Sequence, residues 1–532
     1  VAASSKDMLV IELKDTINTL NKTIEMLNEN LAKKDERIND LMMQIQNLAK
    51  SMYGSKSERR IDIFDGQLSL FEGLEEPETP VEVIEAEDIT VKSHSRKKKP
   101  TLDEQFKHLP AEIVEVDSLS DEDKQCPICG TEMVRIGREY LRTEIQITRQ
   151  VVKKIDYYAV SYECPECKDT EEPQFIKDTG KAALIPHSYI SESLMTDIIY
   201  NKFCMYLPLN RQEADFARMN APISRNAMAH GVIHVAENYF SPMFDFFHRE
   251  LLKRQFIMMD ETPTQVLKEQ DRRAQSKSYL LVVRSGTDGL NPIILYNYTP
   301  TRAGENAKKF LKGMNPGYYL MTDAYQGYNK LSDAKRCCCY AHIRRYFMEA
   351  IPKGSEKDFT HLAVQGVLYC NKLFDYERQY KEKGLSFKQI HNRRLKDQKP
   401  IIEAFSSWAS KVNPGSNSKL KKALNYVINR RGILATYLED GRCSLSNNIT
   451  ENSVRPITVG RKNWLFSDTP EGATANSKCL TMIEMAKLYD LDPYNYIEFL
   501  LSNRPSYDMT DQELEILAPW NETVKDICLN PQ

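Results

Sequence analysis

The sequence contains no apolar run of about 18 residues or more, so no membrane-spanning helix is expected. Its first residues also lack the apolar stretch of a secretory signal, which makes a cytosolic chain the expectation. Nor is there a surplus of positive charge. Lys and Arg number 72 against 75 Asp and Glu, and a net charge of −3 is the wrong sign for coating phosphates uniformly. That average hides an asymmetry. The stretch 61–91 holds ten acidic residues and neither Lys nor Arg, so the remainder of the chain is mildly basic, which permits nucleic-acid binding. Disulfide spacing of the secreted kind is missing as well. Four of the 12 cysteines stand in two CPxC pairs, and the others are scattered through apolar or helical contexts.

What is present points to several folded units, roughly three to five for 532 residues. From Leu13 to Met52 apolar residues recur at alternating spacings of four and three. Ile17, Ile24, Leu31, Ile38, Ile45 and Met52 take one seam position; Leu13, Leu20, Leu27, Leu41 and Leu48 take the other, with Lys34 intruding. Mainly Ile at one position and Leu at the other favours a parallel two-stranded coiled coil, hence a homodimer through residues 1–60; the alternative is one long helix packed on its own chain. Residues 61–100 read as an acidic linker ending in the basic run Arg96 to Lys99.

Between 101 and 185 the text is strand-like and flanked by Cys126-Pro-Ile-Cys129-Gly130 and Cys164-Pro-Glu-Cys167. Each pair forms a knuckle that aims two thiolates at one point, and the intervening hairpin (RTEIQITRQVVKKIDYYAVSYE) makes a ribbon between them. Cys126, Cys129, Cys164 and Cys167 then close a tetrahedral structural zinc site with no open position; a redox pair or unmetallated thiols are the duller readings. Residues 186–245 turn helical. One helix carries Arg211 and Arg218, a break follows at Asn220-Ala221-Pro222, and a second helix capped near Ser224 has Arg225 in its first turn. This pattern fits a DNA-binding helix-turn-helix as well as an ordinary helical hairpin.

Chemistry concentrates further on. The apolar strand QFIMMD ends at Asp260 and the apolar strand YYLMTD ends at Asp323, with strand-like KSYLLVVRSG and LNPIILYNYT and helix-like TRAGENAKKFLKG between them. Two carboxylates held together at neighbouring strand tips are costly as anions unless a cation lies between them, and magnesium suits an all-oxygen pair. Either Asp alone could be a helix cap or turn residue. A third acid, Glu451, lies one helical turn before Arg455 on a helix capped by Asn447 or Asn448 and ending before Pro456; the basic, aromatic loop Gly460-Arg461-Lys462-Asn463-Trp464 follows. Arg461, Lys462 and Trp464 suit phosphate and base contacts, although Glu451 could also pair with Arg455 on a helix surface.

These residues carry a resemblance. The heptad start, YGSKSE, CPxCG and CPxC, LPLNRQE, SRNAMAHGV, MMDETP, TDAYQGY, CYAHIRRYF, NxxENSVRPITVGRKNWLF and LAPWN together make the chain similar to transposases of insertion-sequence family sixty-six, a branch of the DDE transposases. The resemblance implies a multidomain α/β protein with a ribonuclease-H-like catalytic core. It implies that Asp260, Asp323 and Glu451 hold catalytic Mg2+ or Mn2+, with His342, Arg345, Asn448 and Arg455 in supporting roles. The implied activity is cleavage of the element's ends and joining of the freed 3′ hydroxyls to target DNA, in a cytoplasmic protein associated with the nucleoid when active and possessed of two short companion proteins. A DNA-bridging protein without chemistry, or a nuclease that never rejoins ends, would share some of these features. Cys337, Cys338 and Cys339 depart from the pattern and read as a buried strand. The long interval from Asp323 to Glu451 implies an insertion, placing the core at 246–353 and 440–490, a helical insertion at 354–439 and a C-terminal helical segment at 491–532.

Overall fold

The computed structural model describes Ile128 and residues 151–163, 175–177 and 181–529, apart from 324, 353, 356, 357 and 416. The heptad segment, the acidic linker and the four paired cysteines lie outside the described residues. Among the described residues of the expected ribbon hairpin, 151–160 form no strand and β1 (Ser161–Glu163) does, pairing antiparallel with β2 (Phe175–Lys177). Among the described residues little packs on this stretch: Val151 and Tyr157 are 80% and 89% exposed.

Among the described residues, four helices precede the central sheet: α1 (Glu192–Phe203), α2 (Leu209–Arg218), α3 (Arg225–Val235) and α4 (Ser241–Leu252). Ser191 and Ser224 cap α1 and α3 by accepting the N–H groups of Leu194 and Ala227. A one-turn π-helix, 236–240, joins α3 to α4.

The sheet comprises β3 (Phe256–Gln265), β4 (Lys277–Ser285), β5 (Ile294–Thr299), β6 (Tyr318–Thr322) and β7 (Ala334–Cys338), in the order β5-β4-β3-β6-β7. Antiparallel hairpins join β3 to β4 and β4 to β5, whereas β6 and β7 run parallel to β3; the short α5 (Gly304–Phe310) lies in the connection from β5 to β6. Strand alternation separates two cores. Ile257, Met259 and Leu320 belong to one, with Val235, Phe247 and Ile483; Phe256, Met258 and Met321 belong to the other, with Ile343, Phe347 and Phe405. A sheet covered on both faces explains why its central strands read as continuous apolar runs.

The second core is built by α6 (Tyr340–Glu349), α7 (Leu362–Glu382), α9 (Lys399–Lys411) and α10 (Ser418–Ile428), with the short α8 (Phe387–Arg393), which buries no residue, between α7 and α9. The chain then returns to the sheet through α11 (Asn448–Gly460) and α12 (Pro470–Leu488), and ends in α13 (Pro493–Asn503), α14 (Asp511–Ile516) and α15 (Glu522–Cys528). Helix α12 covers the sheet edge. The N–H groups of Ile294 and Tyr296 on β5 donate to Met485 Sδ and Thr481 Oγ1 at 3.3 and 3.1 Å, so two edge donors are satisfied by side chains.

One buried guanidinium organises the return from the second core. Arg394, 2% exposed, donates through Nε and Nη2 to the two carboxylate oxygens of Glu377 at 2.9 and 2.6 Å. Its remaining donors reach the carbonyls of Tyr437, Asp440 and Cys443 at 2.8–3.0 Å, and Gln398 Nε2 adds a further bond to Glu377. The bidentate fork thus ties α7 to the segment that leads into α11. Arg394→Ala strands the Glu377 carboxylate and three carbonyls, and should cost about 3–5 kcal/mol. Urea unfolding with and without the substitution checks this; an unchanged midpoint would contradict it.

Candidate active site

Asp260 and Asp323 meet through strand register. Met258 on β3 pairs with Met321 on β6 in the parallel ladder, so two residues further along Asp260 and Asp323 are opposite each other and on the same face. Asp323 follows directly on the last residue of β6. Asp260 differs from the expected strand tip: β3 continues to Gln265, because β4 keeps pairing with it as far as Gln265↔Lys277 after β6 has ended. Asp260 therefore sits in mid-strand, where the parallel ladder stops and one side of β3 opens.

Helix α11 brings Glu451 to this opening. Asn447 occupies the cap position without making a side-chain cap; its amide instead donates to the Met259 carbonyl at 3.2 Å, one residue before Asp260. Tyr296 Oη donates to the Ser453 carbonyl at 2.7 Å, and Arg284 Nη1 to Ser453 Oγ at 3.3 Å, so β4 and β5 fix the helix two residues after Glu451. The helix does not end before Pro456 but runs on to Gly460. Burial of Ser453, Ile457 and Gly460 outweighs the hydrogen bond that Pro456 removes, and Gly460 lies so close to the Trp464 ring that a Cβ would be 2.5 Å from it.

Glu451 does not turn toward Arg455, which is exposed; its Oε1 lies 3.6 Å from Nδ1 of His342 on α6. Arg345 stands one turn further along α6, partly buried, and Asn448 is partly buried in the first turn of α11. Elsewhere, Arg211, Arg218 and Arg225 are exposed on α2 and α3, with Arg218 3.6 Å from Asp215. Lys462 is exposed, and Arg461 donates to the Pro263 carbonyl beyond Asp260 on β3. Trp464 is half-buried with its ring against Phe203 and Tyr206, so it packs on the protein.

Several residues of the site were not singled out by the sequence reading. Glu261, next to Asp260, points to the opposite face, is 3% exposed, and is paired with Arg302 and hydrogen-bonded by Tyr328. Arg302 also donates to Asp323 Oδ2 at 3.0 Å and lies over the Tyr325 ring. Arg336 on β7 donates to the Asp323 carbonyl at 3.2 Å. Only MMDETP itself, two acids in tandem, could have pointed to Glu261. Cys339, expected in a strand, takes the cap position of α6, and its Sγ accepts the Asn447 N–H at 3.2 Å.

The electrostatics follow from crowding. Burial first, then the carboxylates of Glu261, Asp323 and Glu451, push Asp260 up to about 7, although the Glu261 N–H favours its anion. Burial and Asp323 likewise push Glu261 up to about 7 against the attraction of Arg302. Burial pulls His342 below its ordinary value despite Glu451. Among the described residues Arg302 is the one guanidinium in ion pairs with this group. His342 Nδ1 and Glu451 Oε1 are buried without a hydrogen-bond partner. Buried acids, one guanidinium and orphaned polar atoms fit a bound cation.

With Asp260 raised from its ordinary 3.8 to about 7, the folded state holds more protons than the unfolded state between those values. Stability of the metal-free protein therefore falls as pH rises from about 4 to about 7. Asp260→Asn should flatten this slope and make the metal-free protein more stable at pH 8 by on the order of 2 kcal/mol. Denaturant titration at pH 5 and pH 8 measures it, and an unaltered slope would count against the crowding.

Comparison with known proteins agrees with this arrangement of segments. Residues 187–475, more than half of the chain, match the transposase IS66 family. Residues 123–168, which contain all four paired cysteines, match the zinc-finger binding domain of transposase IS66, and residues 40–114 match a segment described as transposase C of IS166 homeodomain. The Sinorhizobium fredii protein y4hP, described as uncharacterized, is 26% identical over 505 residues, covering 90% of this chain and 88% of its own. A second from the same organism, y4qI, is 24% identical over 502 residues, covering 92% and 89%. The chain belongs to the IS66 family of transposases.

Proposed function

We propose that this chain is the catalytic transposase of its element, cutting DNA at the element's ends and joining the freed 3′ hydroxyls to target DNA. The observation that carries the reading is the convergence of Asp260, Asp323 and Glu451, two from register-matched parallel strands and one from a helix anchored on the same sheet. The sheet order, with an antiparallel three-stranded half and a parallel half, supports assigning residues 246–353 and 440–490 to a ribonuclease-H-like core, with 354–439 as its helical insertion.

Asp260, Asp323 and Glu451 would hold Mg2+ or Mn2+, which when bound supplies the charge that activates the attacking hydroxyl and stabilises the leaving oxygen. Arg302 neutralises Glu261 and steadies the outer oxygen of Asp323, so that among the described residues neither Asp260 nor Glu451 is paired with a Lys or Arg side chain. His342 takes a supporting position, its Nδ1 3.6 Å from Glu451 Oε1. Arg345, Asn448 and Arg455 take supporting positions on the two helices that meet there. Exposed Arg211, Arg218 and Arg225 on the helix-turn-helix-like pair, with Arg461 and Lys462, would contact DNA phosphates; Trp464 supports that loop from below. The zinc-finger match over Cys126, Cys129, Cys164 and Cys167 supports a structural zinc, and the heptads of 1–60 support pairing of two copies to hold two ends. Two short companion proteins belong to the same proposal. The chain would work on DNA in the cytoplasm; no helix among the described residues is long and apolar enough to cross a membrane.

Asp260→Asn, Asp323→Asn and Glu451→Gln should each abolish cleavage and joining while leaving binding to the element's ends intact. An assay with magnesium on cognate ends reads both steps. Activity in all three variants would overturn the metal-site reading; cleavage without joined product in the unaltered protein would make it a nuclease.

A further inference from the structure

A second kind of ligand set adjoins the carboxylates. Cys339 Sγ, His342 Nδ1 and a Glu451 carboxylate oxygen all lie within 4.8 Å of one another. Their positions are imposed by three separate constraints. Cys339 takes the cap position of α6 and His342 the third position of that helix, within reach of a cap side chain, and Glu451 arrives on α11, whose cap residue Asn447 hangs from Met259 and from Cys339 itself. At 3.6 Å, His342 Nδ1 and Glu451 Oε1 are too far apart for a hydrogen bond, and neither has another partner although both atoms are buried. Metal–ligand bonds of 2.0–2.3 Å in a tetrahedral shell put neighbouring ligand atoms about 3.3–3.8 Å apart. The His342–Glu451 separation is already in that range, and a shift of about 1 Å closes the longest of the three.

We propose that Cys339, His342 and Glu451 form a binding site for a zinc-class divalent cation. Sulfur, imidazole nitrogen and carboxylate oxygen suit Zn2+ or Co2+ and disfavour magnesium, which takes oxygen ligands. Three protein ligands leave a fourth position open, unlike a four-thiolate ribbon. On binding, the Cys339 thiol proton passes to solvent, His342 coordinates as neutral imidazole, and Glu451 coordinates as the anion. The site exists whether or not the chain transposes DNA. If Glu451 also serves magnesium, zinc here competes for it.

Metal content and X-ray absorption of the full-length chain, equilibrated with zinc and freed of excess, test the site. The expected result is two zinc ions per chain, falling to one in Cys339→Ser and in His342→Ala, and a spectrum with a nitrogen or oxygen shell near 2.0–2.1 Å beside the sulfur shell. One zinc with the mixed shell, lost in His342→Ala, also supports the site and shows instead that the ribbon is empty. One zinc with an all-sulfur shell, or two that survive both substitutions, would overturn it. The spectrum of the unaltered chain decides even if a variant fails to fold.

Discussion

Mutual repulsion among half-buried carboxylates is the constraint around which the centre of this protein is arranged. Glu261, Asp323 and Glu451 act on Asp260, and Asp323 on Glu261, across a site where Arg302 is the paired guanidinium, and burial raises the cost of charge on Asp260 and Glu261. A fold selected for stability alone would replace these acids with apolar residues, as it has at Met258 and Met321 two positions earlier in the same strands. Their retention is what gives the site its chemical meaning. The repulsion that weakens the metal-free fold is energy that a divalent cation would release if it bound there.

Everything around the acids serves to hold them against that repulsion. The parallel ladder of β3 and β6 places Asp260 beside Asp323, and its termination at Met258↔Met321 leaves room there. The second core, closed by the Arg394–Glu377 fork, returns the chain so that Asn447 can hang from Met259 and Glu451 can face the strands. The first core holds α11 from the other side through Tyr296 and Ser453. The two cores on opposite faces of one sheet thus meet at one helix, and the position of Glu451 depends on both.

Much of this was legible in the sequence because it is local. The apolar runs of β3 to β7, the Ser224 cap of α3 and the carboxylates at 260 and 323 follow from periodicity and turn chemistry. What was not legible depends on distant partners. Asn447 and Met259 are 188 positions apart and Tyr296 and Ser453 157, so no local pattern shows why α11 survives Pro456 or where Glu451 points. Asp260 was expected at a strand tip because only the β6 side of β3 ends there. Cys339 was read with its two apolar neighbours, whereas its place as the cap residue of α6 goes with its contact to Asn447, 108 positions away. Residues 151–160 alternate like a strand yet form none, since alternation records only a preference.

The central claim is that Asp260, Asp323 and Glu451 share bound metal. Replacing magnesium with Fe2+ in the full-length chain, adding ascorbate and peroxide, and mapping the hydroxyl-radical cuts in the backbone tests it most directly. The account predicts cuts near 260, 323 and 451 together, suppressed by excess Mg2+. Cuts confined to other segments, or cuts at these three that excess Mg2+ leaves unchanged, would contradict it.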